Sequence, residues 1–156
     1  MDARAEKVIV LLLRLIVGGV FICAGVLKAV DPARFAKDVD NYRLLPSAAA
    51  AAVALYLPWL EILAGTALAA GVWHRGASLL IGGMLVAFLI ALSSAWARGL
   101  DINCGCFGHG PNRSNYPLTL LLDAALLVAL CISAWRSARI DTISLTSSAA
   151  RDRVER

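Results

Sequence analysis

Two cysteines one residue apart, Cys104 and Cys106, stand in the stretch Asp101-Ile102-Asn103-Cys104-Gly105-Cys106-Phe107-Gly108-His109-Gly110-Pro111, between long apolar runs. A disulfide at that spacing closes only if the backbone bends, and Gly105 supplies the bend. A strained bridge is easily reduced, so the pair has the profile of an exchanger rather than of a staple. Two other chemistries fit the same residues: a metal site built from Cys104, Cys106 and His109, or a loop pinned by a static disulfide. A structural metal wants a fourth ligand, and no second Cys-x-Cys or His pair lies on that side. Thiol exchange is therefore the leading expectation, and no metal is expected.

The rest of the chain says where such a loop would work. Of 156 residues, 60% are hydrophobic, and the mean hydropathy is +0.73. A water-soluble domain of this size cannot hide so much apolar surface, so lipid is the solvent for much of it. A spanning helix needs about 20 mainly apolar residues. Four stretches qualify, at about 8–27, 48–72, 76–97 and 117–135. The first follows Arg4 and Lys7 like a signal peptide, but it is long for one and lacks a small-x-small cleavage site, so it reads as a retained helix. Residues 1–136 thus form one membrane domain. The polar segment 137–156, rich in Ser, Thr and Arg, reads as a mobile tail.

The net charge of +4 is explained by topology rather than by nucleic acid. Arg4, Lys7, Arg14, Arg75, Arg136, Arg139, Arg151, Arg153 and Arg156 fall on one side of the spans, a bias that places both termini in the cytoplasm. The Cys104 loop, joining the third and fourth spans, then faces the periplasm, where disulfides persist and exchange.

Several elements must position it. Gly18, Gly19, Ala24 and Gly25 give the first span a small-residue face. Asp31-Pro32 is a helix start, and Phe35, Val39 and Tyr42 recur at helical spacing while Arg34, Lys37, Asp38 and Asp40 fill the other faces. This predicts a short amphipathic helix on the outer membrane surface, ended by Pro46. The second span carries Pro58 and Glu61, the latter about 15 Å deep by helical rise, where a carboxylate must face the bundle interior. Gly83, Ala87, Ala91 and Ala95 form a close-packing stripe on the third span, and Ala125, Ala129 and Ser133 one on the fourth.

Ionisable and thiol groups inside the membrane are the remaining candidates. Lys28, Cys23 and Asp123 fall in the outer third by counting, with Glu61 deeper. Lys28 either pairs with an acid for structural reasons, or stabilises a thiolate at Cys104 or Cys106 or an anionic quinol while Glu61 or Asp123 moves protons. Cys23 and Cys131 read as single buried cysteines. The second is expected to be inert packing; the first is near enough to the outer end to serve as a resolving thiol.

Taken in order, Gly25-Val26-Leu27-Lys28, Asp31-Pro32-Ala33-Arg34-Phe35, Tyr42-Arg43-Leu44-Leu45-Pro46, Pro58-Trp59-Leu60-Glu61-Ile62-Leu63-Ala64-Gly65 and Asn103-Cys104-Gly105-Cys106-Phe107-Gly108 resemble the methylamine-utilisation MauE branch of the DoxX-like membrane proteins. The resemblance runs to about Trp135. It implies a four-helix bundle in the inner membrane, associated with disulfide formation in periplasmic proteins and working with a thioredoxin-like partner. Wider DoxX relatives are linked to quinone-coupled sulfur oxidation. The architecture is also similar to the four-helix core of vitamin K epoxide reductase, but this sequence lacks that group's Cys-x-x-Cys and second cysteine pair.

The expectation is an all-helical, four-span membrane protein with Cys104 and Cys106 catalytic, Cys23, Lys28, Glu61, Asp123 and His109 in support, and a membrane quinone as the electron exit. Two other classes remain open: a membrane scaffold for a redox partner, and a small transporter of a thiophilic metal or sulfur species.

Overall fold

A computed structural model describes the backbone of residues 3–100 and 116–154, with side chains described for 4–100 and 116–139. The described residues form five helices with short turns and connections between them: α1 (Ala3–Val30), α2 (Pro32–Asn41), α3 (Ser47–Ala70), α4 (His74–Ala97) and α5 (Tyr116–Val154). Four of these are long and apolar enough to cross a membrane, as the sequence predicts.

The burial pattern fits lipid as the surrounding solvent. Leu63, Leu79, Ile90 and Leu121 point outward, each more than 60% exposed, while Lys28, Asp38, Glu61 and Asp123 are buried. In water this distribution would leave broad apolar patches uncovered. In a bilayer those outward apolar side chains face lipid, while these four ionisable groups stay inside the bundle. The protein is therefore built as a multi-pass membrane protein.

Packing defines a ring. α1 touches α3, α3 touches α4, α4 touches α5 and α5 returns to α1, while α2 lies against α3 and α1. The tightest seam joins α1 to α3. A Cβ added to Gly65 would lie 2.7 Å from the Gly18 carbonyl oxygen, and one added to Gly18 would lie 2.6 Å from the Gly65 oxygen. Gly25 meets the Pro58 carbonyl oxygen in the same way, at 2.7 Å. The seam is thus backbone against backbone at two levels, which only glycine permits. Gly19, expected on this face, points into open space, as does Gly83 of the α4 stripe; that stripe closes only toward Ala95, which is fully buried. Replacing Gly65 by Val is expected to lower stability in detergent by about 1–3 kcal/mol. Gly19→Ala is the control expected to unfold at or above the wild-type temperature.

Chain punctuation differs from expectation at the end of α2. α2 ends at Asn41, not at Pro46, and Pro46 instead precedes the first residue of α3. Asp31 caps α2 as expected, its Oδ1 accepting from the Arg34 amide at 3.0 Å. The turn between α3 and α4 is made by Gly71 and Trp73, both at positive φ (73° and 55°). Finally, the α5 backbone stays helical beyond Ser137 to Val154, a stretch with neither glycine nor proline to interrupt it.

Two apolar clusters fill the bundle. One, around Val17, Phe21, Leu68, Ile81 and Leu130, packs all four long helices. The other gathers Tyr42, Leu92 and Ala95 with Phe88, Leu100 and Tyr116 at the end that carries α2.

Candidate functional site

Between the two clusters lies a cavity of about 340 Å³. Its walls are mostly aliphatic and aromatic, and α1, α2, α3, α4 and α5 all contribute. Four ionisable side chains open onto it: Lys28 from α1, Asp38 from α2, Glu61 from α3 and Asp123 from α5. All are buried, at 9%, 7%, 6% and 6% exposure respectively. α4 contributes only apolar groups, among them Phe88 and Ala91.

Lys28 Nζ donates to Glu61 Oε1 at 2.5 Å, a buried charge-assisted hydrogen bond. Depth counting puts Glu61 far below Lys28, yet they meet. Each side chain in an α-helix leans toward its own N-terminus, and α1 and α3 run antiparallel. Lys28 therefore reaches down into the bundle and Glu61 reaches up. The Gly25 contact with Pro58 sets the register, since a Cβ there would stand 3.1 Å from the Glu61 Cβ. The ammonium also lies 5.4 Å from the centroid of the Phe35 ring, a cation–π distance. Glu61 Oε2 has no hydrogen-bond partner among the described residues.

Asp38 is the group that sequence reading misplaces. Its neighbours Arg34, Lys37 and Asp40 suggest a polar face of α2, but it is buried against the cavity. The signal was present: 35, 38, 39 and 42 form an i, i+3, i+4, i+7 stripe, and Asp38 stands within it. Arg98 fixes the C-terminal end of this helix. Its Nη2 donates to the Tyr42 carbonyl at 2.6 Å and its Nη1 to the Arg43 carbonyl at 3.5 Å, tying α4 to α2 across the lid of the cavity.

The thiols are distributed differently from expectation. Cys23 and Cys131 are free and exposed on the outside of the bundle, not buried, and Cys23 is not among the residues lining the cavity. Cys104, Cys106 and His109 lie outside the described residues. The ends of their segment are described. Leu100 and Tyr116 pack together with Tyr42 in the cluster at the α2 end, and the Tyr116 hydroxyl donates to the Leu100 carbonyl. The cysteine segment thus leaves and re-enters the bundle at the same end as α2, next to the cluster that closes the cavity. Lys28, Glu61 and Asp123 line one cavity; Cys23 does not line it.

Comparison with known proteins places the chain in a family. The family described as "Methylamine utilisation protein MauE" matches residues 6–136. A "Methylamine utilization protein MauE" of Methylorubrum extorquens is 34% identical over 136 residues, covering 86% of this chain and 73% of that protein. One of Paracoccus denitrificans is 29% identical over 150 residues, covering 95% and 80%. No solved structure matches significantly. With the match running through all four spans and the segment between the third and fourth, the chain belongs to the MauE family of membrane proteins.

Proposed function

We propose that this protein is a membrane thiol-disulfide oxidoreductase serving methylamine utilisation, exchanging disulfides with a periplasmic thioredoxin-like protein through Cys104 and Cys106. The observation that carries the reading is the joint placement of the cysteine segment's two ends and the buried Lys28–Glu61 cavity at one end of the bundle. In this reading that end faces the periplasm, both termini lie in the cytoplasm, and the membrane is the bacterial inner membrane.

The reaction begins with the Cys104–Cys106 bridge closed. A partner thiolate attacks one of its sulfurs, the loop S–S bond breaks and a mixed disulfide forms. The partner's second thiolate then attacks the mixed disulfide. The partner leaves oxidised, and the loop is left as two thiols holding the electron pair and two protons. A membrane quinone is the acceptor class that suits this two-electron load.

The test is covalent trapping. With Cys104→Ser or Cys106→Ser in place, the remaining loop thiol, offered a thioredoxin-like protein whose single active-site cysteine is held as a disulfide to thionitrobenzoate, is expected to displace thionitrobenzoate and hold a mixed disulfide that the second loop thiol of the wild type resolves. Absence of any such adduct from both single variants would defeat the reading, and retention of stable partner binding without thiol turnover would favour a scaffold instead.

A further inference from the structure

We propose that the cavity beside Lys28 seats the ring of an isoprenoid quinone, with Lys28 and Glu61 holding a ring oxygen. The inference deepens the thiol-exchange reading and rests on it for the source of electrons, though not for binding.

The chemistry of the walls selects the ligand class. The cavity, at about 340 Å³, is at the small end of small-molecule pockets and is apolar over most of its lining. A lipid acyl chain would fill such walls but would leave the Lys28–Glu61 pair, and Glu61 Oε2 in particular, facing hydrocarbon. A small hydrophilic ion would satisfy those groups but waste the apolar walls. A flat apolar ring with oxygen atoms at its edge satisfies both. Phe35, Tyr42 and Phe88 supply aromatic surface for the ring, and Lys28 supplies a donor to an oxygen.

A second, independent observation is the state of Glu61. Its Oε1 is held by Lys28, whereas Oε2, deep in the bundle, has no hydrogen-bond partner among the described residues. A buried oxygen left in that condition costs free energy unless something meets it. A ligand oxygen bearing a proton would do so. Around it, the titratable groups on each packed element are Lys28 on α1, Asp38 and Tyr42 on α2, and Asp123 on α5; α4 offers none.

The stoichiometry closes. Closing the Cys104–Cys106 bridge from two thiols forms one S–S bond and releases two electrons and two protons. Converting a quinone to its quinol takes up two electrons and two protons, forming two O–H bonds. Lys28 is positioned to donate to a ring oxygen and stabilise negative charge on it, and Glu61 Oε2 to accept the hydrogen bond of the quinol O–H that forms, the two protons being those released by the thiols.

The experiment is photolabelling of the intact protein in phosphatidylcholine vesicles with an azido-substituted ubiquinone analogue, in competition with decylubiquinone. Labelling is expected on α1, α2 or α3 peptides that line the cavity, and to be competed. It is expected to fall about tenfold in Lys28→Met/Glu61→Met, as loss of a charged hydrogen-bond partner implies. Ala91→Leu, which fills the cavity without touching its charges, is expected to lower labelling similarly, with helicity by circular dichroism confirming that both variants fold. Cys104→Ser/Cys106→Ser should label like the wild type. Labelling spread over lipid-facing residues, uncompeted, or unchanged in both cavity variants would overturn the proposal and leave an acyl chain as the occupant. Competed cavity labelling by a protein that exchanges no thiols would sustain this site while removing the exchange reading.

Discussion

Lys28→Met alone is expected to destabilise the protein by about 3–5 kcal/mol, whereas Lys28→Met/Glu61→Met recovers most of that loss. The asymmetry follows from burial. Lys28 and Glu61 are both almost completely enclosed, and their charges meet at 2.5 Å. Removing the ammonium leaves Glu61 in an apolar cavity already shared with Asp38 and Asp123. Removing both members leaves two apolar side chains of similar size, which such a cavity accommodates. Thermal unfolding of the three proteins in one detergent checks this. Equal loss in the single and double variants would show that an unpaired Glu61 carries no penalty, against this expectation. The same comparison separates fold from function, because the stable double variant is the one expected to lose quinone labelling.

The second large effect is chemical rather than structural. Cys104→Ser/Cys106→Ser is expected to unfold at the wild-type temperature, while dithiol oxidation falls roughly a thousandfold or more, to the uncatalysed rate. Exchange needs one sulfur to accept the attack and its neighbour to leave and later return. Holding the two one residue apart makes the return step intramolecular, and its loss cannot be offset elsewhere, since Cys23 and Cys131 stand exposed outside the bundle. Cys23→Ser is accordingly expected to keep wild-type turnover. A substantial loss in that variant would reinstate it as a resolving thiol.

Much of this architecture was legible in the residues. Four apolar runs of membrane-spanning length, Asp31-Pro32 as a helix start and Glu61 turned inward follow from hydropathy, capping and the cost of a carboxylate in hydrocarbon. What was not legible depends on register between helices. That Gly18 meets Gly65, while Gly19 meets nothing, is set by rotation of α1 against α3, which small-residue counting leaves free. That Lys28 reaches Glu61 depends on two side chains leaning toward each other from antiparallel helices, whereas counting rises treats each as a point at its Cα. Asp38 is a different case. Its place in the buried stripe of α2 is readable from spacing, but an aspartate among polar neighbours reads as solvent-facing because such residues are mostly exposed. Its burial is intelligible only once α3 and α5 supply the other walls of the cavity.

The central claim is that the Cys104–Cys106 pair turns over. The most direct measurement is differential alkylation and mass analysis of the peptide carrying both cysteines, before and after the oxidised protein in vesicles meets a reduced thioredoxin-like dithiol. The peptide is expected to pass from unalkylated to doubly alkylated while the partner is oxidised one for one, and added decylubiquinone is expected to return it to the unalkylated state. A peptide whose alkylation does not change while the partner stays reduced would contradict it.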